Sequence, residues 1–284
     1  MDTARAVVVT GASTGIGRAC ARALAASGFR VFASVRKQEH ADGLTAELGA
    51  NVTPLIFDVT DVAGVSAAAA AVDAQLAGMT LFGLVNNAGI AVAGPLLHLP
   101  VDEFKRQLDV NVTGQLVVTK AFAPLLGADR ARDGSPGRIV MITSVGGRNA
   151  LPFAGPYATS KFALEGLSEA LRRELMLFGI DVIIVAPGSV VTPIWDKTED
   201  NIAPFTATPY AGALERMKTY MLAHAARGLP AERIGEAVKT ALTTGRPKTR
   251  YTVTPNPLQT FLTTALPKRM IDKAIARRIG LLPT

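Results

Sequence analysis

Tyr157 and Lys161 stand four residues apart in a stretch predicted to be helical, so both side chains project from one face. That pairing suits proton transfer. A tyrosine with an ordinary pKa near ~10 is a poor base at neutral pH, but a nearby ammonium favours the phenolate and moves the hydroxyl toward the working range. Tyr157 would then exchange a proton with a substrate oxygen, a contribution typically worth ~10²–10⁴-fold in rate. A lone Tyr-x-x-x-Lys pair is common on helices and by itself means little. The second chemical signature is TGASTGIG, in which Gly11, Gly15 and Gly17 follow the apolar run Ala6–Thr10. A strand that feeds a glycine-rich turn and then a helix lets backbone amides approach a pyrophosphate, where N–H groups and the helix dipole favour anions. The spacing is G-x-x-x-G-x-G, so the common G-x-G-x-x-G fingerprint does not apply as written, and a glycine turn alone serves equally well as a tight connection. Together, cradle and Tyr/Lys pair point to a catalyst that binds a dinucleotide.

These residues need a scaffold, and the chain supplies a regular one. Short β-branched runs alternate with alanine-rich helical stretches, the pattern of βαβ units around a parallel sheet. Strands are expected at Ala6–Thr10, Arg30–Ser34, Val52–Phe57, Phe82–Asn86, Arg138–Thr143, Asp181–Ala186 and near Tyr251–Val253. Their nearly continuous apolar character means cover on both faces. Helices are expected at about Gly15–Ser27, Ala41–Leu48, Asp61–Leu76, Asp102–Leu126, Phe153–Phe178, Tyr210–Ala226 and Ala231–Thr243, with Asp61 and Asp102 as N-caps. Pro257–Ile279 reads as one amphipathic helix whose apolar stripe (Phe261, Leu262, Leu266, Met270, Ile271) packs on the core. Gly188–Pro209, with three prolines and mixed polarity, reads as an irregular lid over a cleft.

From about Val7 to Thr192 the sequence resembles the short-chain dehydrogenase/reductase family at a series of positions in the right order. TGASTGIG matches the family's glycine motif, Asp58-Val59 its adenine-side pair, and NNAG at Asn86–Gly89 its fourth-strand motif. Asn111 lies on the long fourth helix, Ser144 ends the fifth strand, YATSK spans Tyr157–Lys161, and Pro187-Gly188 with Thr192 closes the series. The resemblance implies an α/β fold: a Rossmann-type doubly wound parallel sheet in three layers, with residues 1–284 as one domain. Residues 188–226 would form the substrate lid and 254–284 a C-terminal helical extension. It also implies a nicotinamide cofactor held by Gly11, Ser13, Thr14, Gly15, Ile16, Gly17, Arg36, Asp58, Val59, Asn87, Tyr157, Lys161, Val190 and Thr192. Ser144 would hold the oxygen of an alcohol or carbonyl substrate, Lys161 would also bond the nicotinamide ribose, and Asn111 would anchor a water linking Lys161 to solvent. No metal is required. A homodimer or homotetramer is implied, through the Asp102–Leu126 and Phe153–Phe178 helices.

Cofactor choice is read at the end of the second strand, where an acid bonds the adenosine ribose 2′-OH and an arginine accommodates a 2′-phosphate. Alignment puts Val35 at that position, followed by Arg36 and Lys37. A guanidinium clasps phosphate with paired charge-assisted hydrogen bonds and Ser34 adds a hydroxyl donor, so NADP(H) is expected over NAD(H). Thr14 stands where some NADP-dependent relatives carry a basic residue. Pro247–Tyr251 (PKTRY) is similar to the tail of the branch that includes 17β-hydroxysteroid and retinol dehydrogenases. With Ile194, Trp195, Ile202 and Phe205 in the lid, it leads to an expected bulky apolar substrate, steroid-, retinoid- or lipid-like.

Composition narrows the rest. With 49% apolar residues in 284 the chain has ample material for a full core, which excludes intrinsic disorder. One cysteine, Cys20, forms no intramolecular disulfide, and with three histidines there is no Cys/His cluster at metal-ligand spacing. No apolar run approaches the ~18 residues of a membrane span, and a cytoplasmic protein is expected. The net charge of +7 is uneven: residues 1–226 hold 19 Lys/Arg against 20 Asp/Glu, residues 227–284 hold 11 against 3. Such a tail is a solvated helix face or a weak contact with an anionic membrane surface; nucleic acid is not an expected partner. The rival to an enzyme is a dinucleotide-binding redox sensor or scaffold without turnover, against which the intact Ser144, Tyr157 and Lys161 argue.

Overall fold

The structure, a computed structural model, describes residues 5–195 and 203–282. The apolar runs form seven parallel strands: β1 (Ala6–Val9), β2 (Arg30–Val35), β3 (Val52–Ile56), β4 (Gly83–Asn86), β5 (Arg138–Ile142), β6 (Asp181–Pro187) and β7 (Arg250–Val253). Each lies within a residue of its expected limits. Their spatial order is β3-β2-β1-β4-β5-β6-β7. The chain therefore winds outward from β1 to β3, then crosses back to lay β4 on the other side of β1. Val8 is opposite Phe32 of β2 and Leu84 of β4. In such sheets the reversal leaves a crevice beyond the carboxyl ends of the two central strands, and ligands bind there.

Strand alternation divides the core into two. Val7, Val9, Val31, Ala33 and Val85 point to one face, under α1 (Gly15–Ala25), α2 (Gln38–Leu48) and a helix late in the chain that supplies Ile234 and Val238. Ala6, Val8, Phe32 and Leu84 point to the other, under α3 (Val62–Leu76) and helices that supply Val118, Phe122 and Leu164. A period of two in side-chain direction is why both faces must be covered. Phe29, Phe32 and Phe122 are fully buried, and each such side chain stabilises the fold by roughly 1.5–3 kcal/mol. Cys20 is buried in α1, and loss of solvation pushes its thiol up to about 12, so it serves as packing.

Several helices differ from expectation, each for a local reason. Asp61 caps α3 as expected, its Oδ1 accepting the Ala63 amide at 3.1 Å. Asp102 does not cap: α4 (Val101–Leu108) begins after Pro100, and Asp102 lies in its first turn, 3.1 Å from Lys105. The single helix expected over Asp102–Leu126 is interrupted by a wide π-turn at Asp109–Thr113 before α5 (Gly114–Phe122), and it loosens at Pro124–Ala128 around Gly127. The π-turn carries Asn111, whose side chain is drawn inward by hydrogen bonds to the Ile90 backbone.

Helix α6 (Gly155–Glu174) holds the YATSK segment, and α7 (Ala211–Ala226) and α8 (Glu232–Thr243) follow. The expected helix Pro257–Ile279 is two, α9 (Pro257–Ala265) and α10 (Lys268–Ile279). Pro267 has no amide to donate, and Leu266 before it is extended. The stripe assigned to the core is largely outside it: Phe261, Leu262 and Met270 are exposed, while Leu266 and Ile271 are half-buried. Of the residues expected in a lid, Ile202 and the side chain of Trp195 lie outside the described residues. Phe205 is buried against Gly94.

Candidate active site

The crevice between β1 and β4 is a cavity of about 290 Å³. Its floor is TGASTGIG. Gly11 has a φ of +65°, the left-handed region that glycine enters without strain. A Cβ on Gly17 would lie 2.2 Å from the Gly11 carbonyl oxygen and 2.5 Å from Asn87 Nδ2, so only glycine lets this turn close. Helix α1 starts there with Thr14 as N-cap residue; Thr14 makes no side-chain cap, and the first turn has no acid. Amides at an uncapped, carboxylate-free helix N-terminus suit a pyrophosphate. The residues present thus fit a dinucleotide on the geometry of the cradle itself.

The two strand ends are tied together by Thr10, which the sequence reading passed over, and by Asn87 and Ser34, which it assigned to the cofactor. Thr10, fully buried, accepts the amides of Asn87 and Ala88 on its hydroxyl at 2.9 and 3.0 Å. Asn87 Nδ2 donates back to the carbonyls of Thr10 and Gly11 at 2.9 and 3.1 Å. Ser34, buried at the end of β2, accepts the Gly11 amide at 3.1 Å, so its first task is holding the loop. A buried threonine at a strand end has no signature separating it from packing, which is why the pattern missed Thr10.

Past Val35, Arg36 lines the crevice with its side chain 72% exposed, 3.8 Å from Asp58. Lys37 pairs instead with Glu39 at 3.1 Å. Burial raises the Asp58 carboxyl, but hydrogen bonds from the Thr60 amide and hydroxyl, with the Arg36 charge, outweigh it and leave Asp58 below its ordinary value.

At the far end of the crevice stand Ser144, Tyr157 and Lys161. Ser144 follows β5 and accepts the Gly146 amide at 2.9 Å, which fixes its hydroxyl, and its side chain hydrogen-bonds the Tyr157 phenol. Lys161 is 5% exposed, its Nζ donating to the Ile142 carbonyl at 2.9 Å and lying 5.7 Å from the Tyr157 ring centroid. The Tyr157 hydroxyl does not move as the sequence suggested: desolvation pushes it above the ordinary tyrosine value, and the Ser144 hydrogen bond only partly offsets this. The Lys161 ammonium feels the same desolvation, falling from 10.5 to about 8 despite the opposing Glu165 charge. Burial dominates both members of the pair.

Glu165, one turn further along α6, was not singled out from the sequence. It accepts the Thr143 hydroxyl at 2.6 Å and lies 3.2 Å from Arg250 and 3.5 Å from Arg148. Arg250 is the arginine of PKTRY, so that tail reaches α6. Asn111 lies behind the crevice wall, fully buried. Its Oδ1 accepts the Ile90 amide at 2.8 Å, and its Nδ2 donates to the Ile90 carbonyl and Ser160 hydroxyl, both at 3.0 Å.

Of the residues expected at the site, all but Asn111 line the crevice. A second, larger cavity of about 770 Å³ opens beside it, and Ser144, Tyr157, Gly188 and Val190 line both. Its outer wall comes from α7, α9, α10 and the Gly146–Leu151 segment. Ile194, expected among substrate-facing residues, lines the first cavity instead.

Residues 5–203 match the family model described as short chain dehydrogenase. The chain is 36% identical to the NADPH-dependent 3-dehydrocapnine reductase of Ornithobacterium rhinotracheale over 270 residues, 95% of each chain. It is 37% identical to human retinol dehydrogenase 5, over 86% of this chain and 79% of that one. Among solved structures, a short-chain dehydrogenase from Streptomyces avermitilis superposes with a TM-score of 0.76 at 27% identity, covering 98% of this chain and 95% of the other. An actinorhodin polyketide ketoreductase variant with NADPH gives 0.76 at 29%, covering 90% and 98%.

Proposed function

The chain belongs to the short-chain dehydrogenase family and is a nicotinamide-dependent oxidoreductase of alcohol and carbonyl substrates; from that premise we propose that Tyr157 is its general acid and base, that NADP(H) is its preferred cofactor and that its substrate has a bulky apolar body. The observation that carries the first part is the seam between the cavities, where the hydrogen-bonded Ser144 and Tyr157 side chains line both the dinucleotide crevice and the larger chamber. A reacting carbon placed there meets both partners.

When bound, the nicotinamide supplies or accepts the hydride. In reduction, the Tyr157 hydroxyl gives its proton to the substrate oxygen; in oxidation the Tyr157 oxygen takes it back. Ser144 binds the same oxygen with a hydroxyl already oriented by the Gly146 amide. Lys161, charged below about pH 8, favours the phenolate that Tyr157 becomes on giving up its proton. Asn111 acts one step back, holding Ile90 against Ser160 of the catalytic helix and leading protons from Lys161 to solvent through a water.

Support for NADP(H) lies in Arg36, exposed at the crevice edge where an acid would disfavour a 2′-phosphate, and in relatives named with NADPH. Support for an apolar body lies in Met217, Met221, Phe261, Ile271 and Ile275 along the larger cavity. The protein acts as a homodimer or homotetramer. Its C-terminal helices make weak contact with anionic membrane surfaces, as exposed Leu258, Phe261 and Met270 beside Lys268, Arg269 and Lys273 allow. No helix among the described residues is long and apolar enough to cross a membrane. Sedimentation velocity tests the assembly, and flotation with anionic liposomes tests the contact.

The decisive experiment is Tyr157→Phe, which keeps the ring and removes the exchangeable proton. Turnover should fall by roughly 10²–10⁴-fold with dinucleotide affinity retained. Near-native rates on a verified ketone or alcohol would remove Tyr157 from the role.

A further inference from the structure

The wall of the larger cavity holds four arginines, Arg148, Arg227, Arg250 and Arg278, together with His224, and among the described residues not one carboxylate. Two of the four share one carboxylate, Glu165, which lies 3.5 Å from Arg148 and 3.2 Å from Arg250, so that trio keeps a net positive charge. Arg227 and Arg278 have no carboxylate within ion-pair distance among the described residues. They come from different elements, Arg227 just after α7 and Arg278 in the last turn of α10.

A basic side chain in the last turn of a helix often serves the helix's own carbonyls. In α10 that service is given by Arg216 of α7, whose Nε donates to the Ile279 carbonyl at 2.8 Å. Arg278 instead lies over the Tyr220 ring, its guanidinium carbon 4.6 Å from the centroid, and the His224 ring packs on that same tyrosine at 3.9 Å. The aromatic contact orients the guanidinium without neutralising it. Two guanidiniums with no carboxylate partner among the described residues, on a wall that also carries Met217, Met221, Ile271 and Ile275, describe a chamber for an amphipathic guest.

Building on the hydride-transfer reading above, we propose that the substrate is an amphipathic anion, its apolar body against the methionine and isoleucine wall and an oxyanion head, carboxylate, sulfonate or phosphate, held by Arg227 and Arg278. Arg227 and Arg278 are exposed, so a neutral steroid or retinoid leaves both charges to solvent. An anionic head gains charge-assisted, paired hydrogen bonds there.

The test compares a long-chain oxo acid with its methyl ester, and with the sulfonate and phosphate of the same chain, by kcat/KM at fixed cofactor. The wild type should favour at least one anion over the ester by about tenfold or more, the effect of one charge-assisted contact. In Arg227→Gln/Arg278→Gln the anion-to-ester ratio, measured within one protein and so independent of its folded fraction, should collapse toward unity. Arg227→Gln/Arg278→Lys should keep part of it. An ester used as well as every anion, or a double variant with the preference intact, overturns the proposal. Thermal-shift binding of a fatty acid without a keto group, measured on Tyr157→Phe, reports head-group recognition without turnover. Arginine-dependent binding with no reduction of any ketone therefore refutes the catalytic reading alone, and reduction with no arginine-dependent binding refutes the anionic head alone.

Discussion

Replacing Lys161 with methionine should abolish turnover and yet stabilise the folded protein at neutral pH. The ammonium is almost wholly buried, and desolvation brings it from 10.5 to about 8. At ~1.4 kcal/mol for each tenfold change in proton affinity, keeping that lysine charged at pH 7 costs the fold about 3 kcal/mol. Its one hydrogen bond, to the Ile142 carbonyl at 2.9 Å, returns about 1 kcal/mol. Lys161→Met, of similar length, should therefore be about 2 kcal/mol more stable at pH 7. The pH dependence has a defined sign. The unfolded chain holds the lysine proton up to ~10.4 while the folded protein releases it near 8, so the unfolded state binds more protons in between and wild-type stability rises across that interval. The advantage of the variant should shrink above pH 8 and reverse by about pH 10, when only the lost hydrogen bond remains. Urea unfolding of both proteins at pH 7 and pH 10, without dinucleotide, reads this directly. A variant less stable than wild type at pH 7, or a difference that does not change with pH, would refute the argument. The buried charge is then a stability sacrificed for function.

The remaining predictions concern the dinucleotide crevice. Arg36→Ala should lower kcat/KM with NADP(H) by roughly tenfold, the worth of one charge-assisted contact, and change NAD(H) little; a wild type with equal or NAD-favouring ratios would remove Arg36 from the specificity role. Gly17→Ala forces a Cβ against the Gly11 carbonyl, so it should destabilise the fold by about 1–3 kcal/mol in thermal denaturation and weaken dinucleotide binding in fluorescence titration; an alanine variant that binds as wild type does would show that the turn yields.

Much of this molecule was legible from one sequence because its information is local. β-branched runs alternating with alanine-rich stretches fix a parallel sheet, and period-two alternation fixes which valines face which layer. Motifs such as TGASTGIG and YATSK are contiguous, so the strand–turn–helix that brings amides to a phosphate, and the helix turn that stacks Tyr157 on Lys161, need no distant residue to be recognised. What tertiary structure alone decided is what depends on distant neighbours. Burial reversed the expected direction for the Tyr157 phenol, because desolvation by surrounding elements outweighs the hydrogen bond that favours its ionised form. The π-turn at Asp109–Thr113 exists because Asn111 reaches Ile90 and Ser160, twenty-one and forty-nine positions away. Pro257–Ile279 read as one helix with its apolar stripe on the core, but Pro267 divides it, and Phe261 and Met270 stay outside the core while α10 packs beside α7. The arginines of the larger cavity come from four separate stretches of chain, and nothing in any one of them shows that Arg148 and Arg250 share Glu165 while Arg227 and Arg278 have no carboxylate beside them among the described residues. Local pattern sets element and turn because backbone geometry is local; the charge a side chain presents depends on what the fold brings beside it.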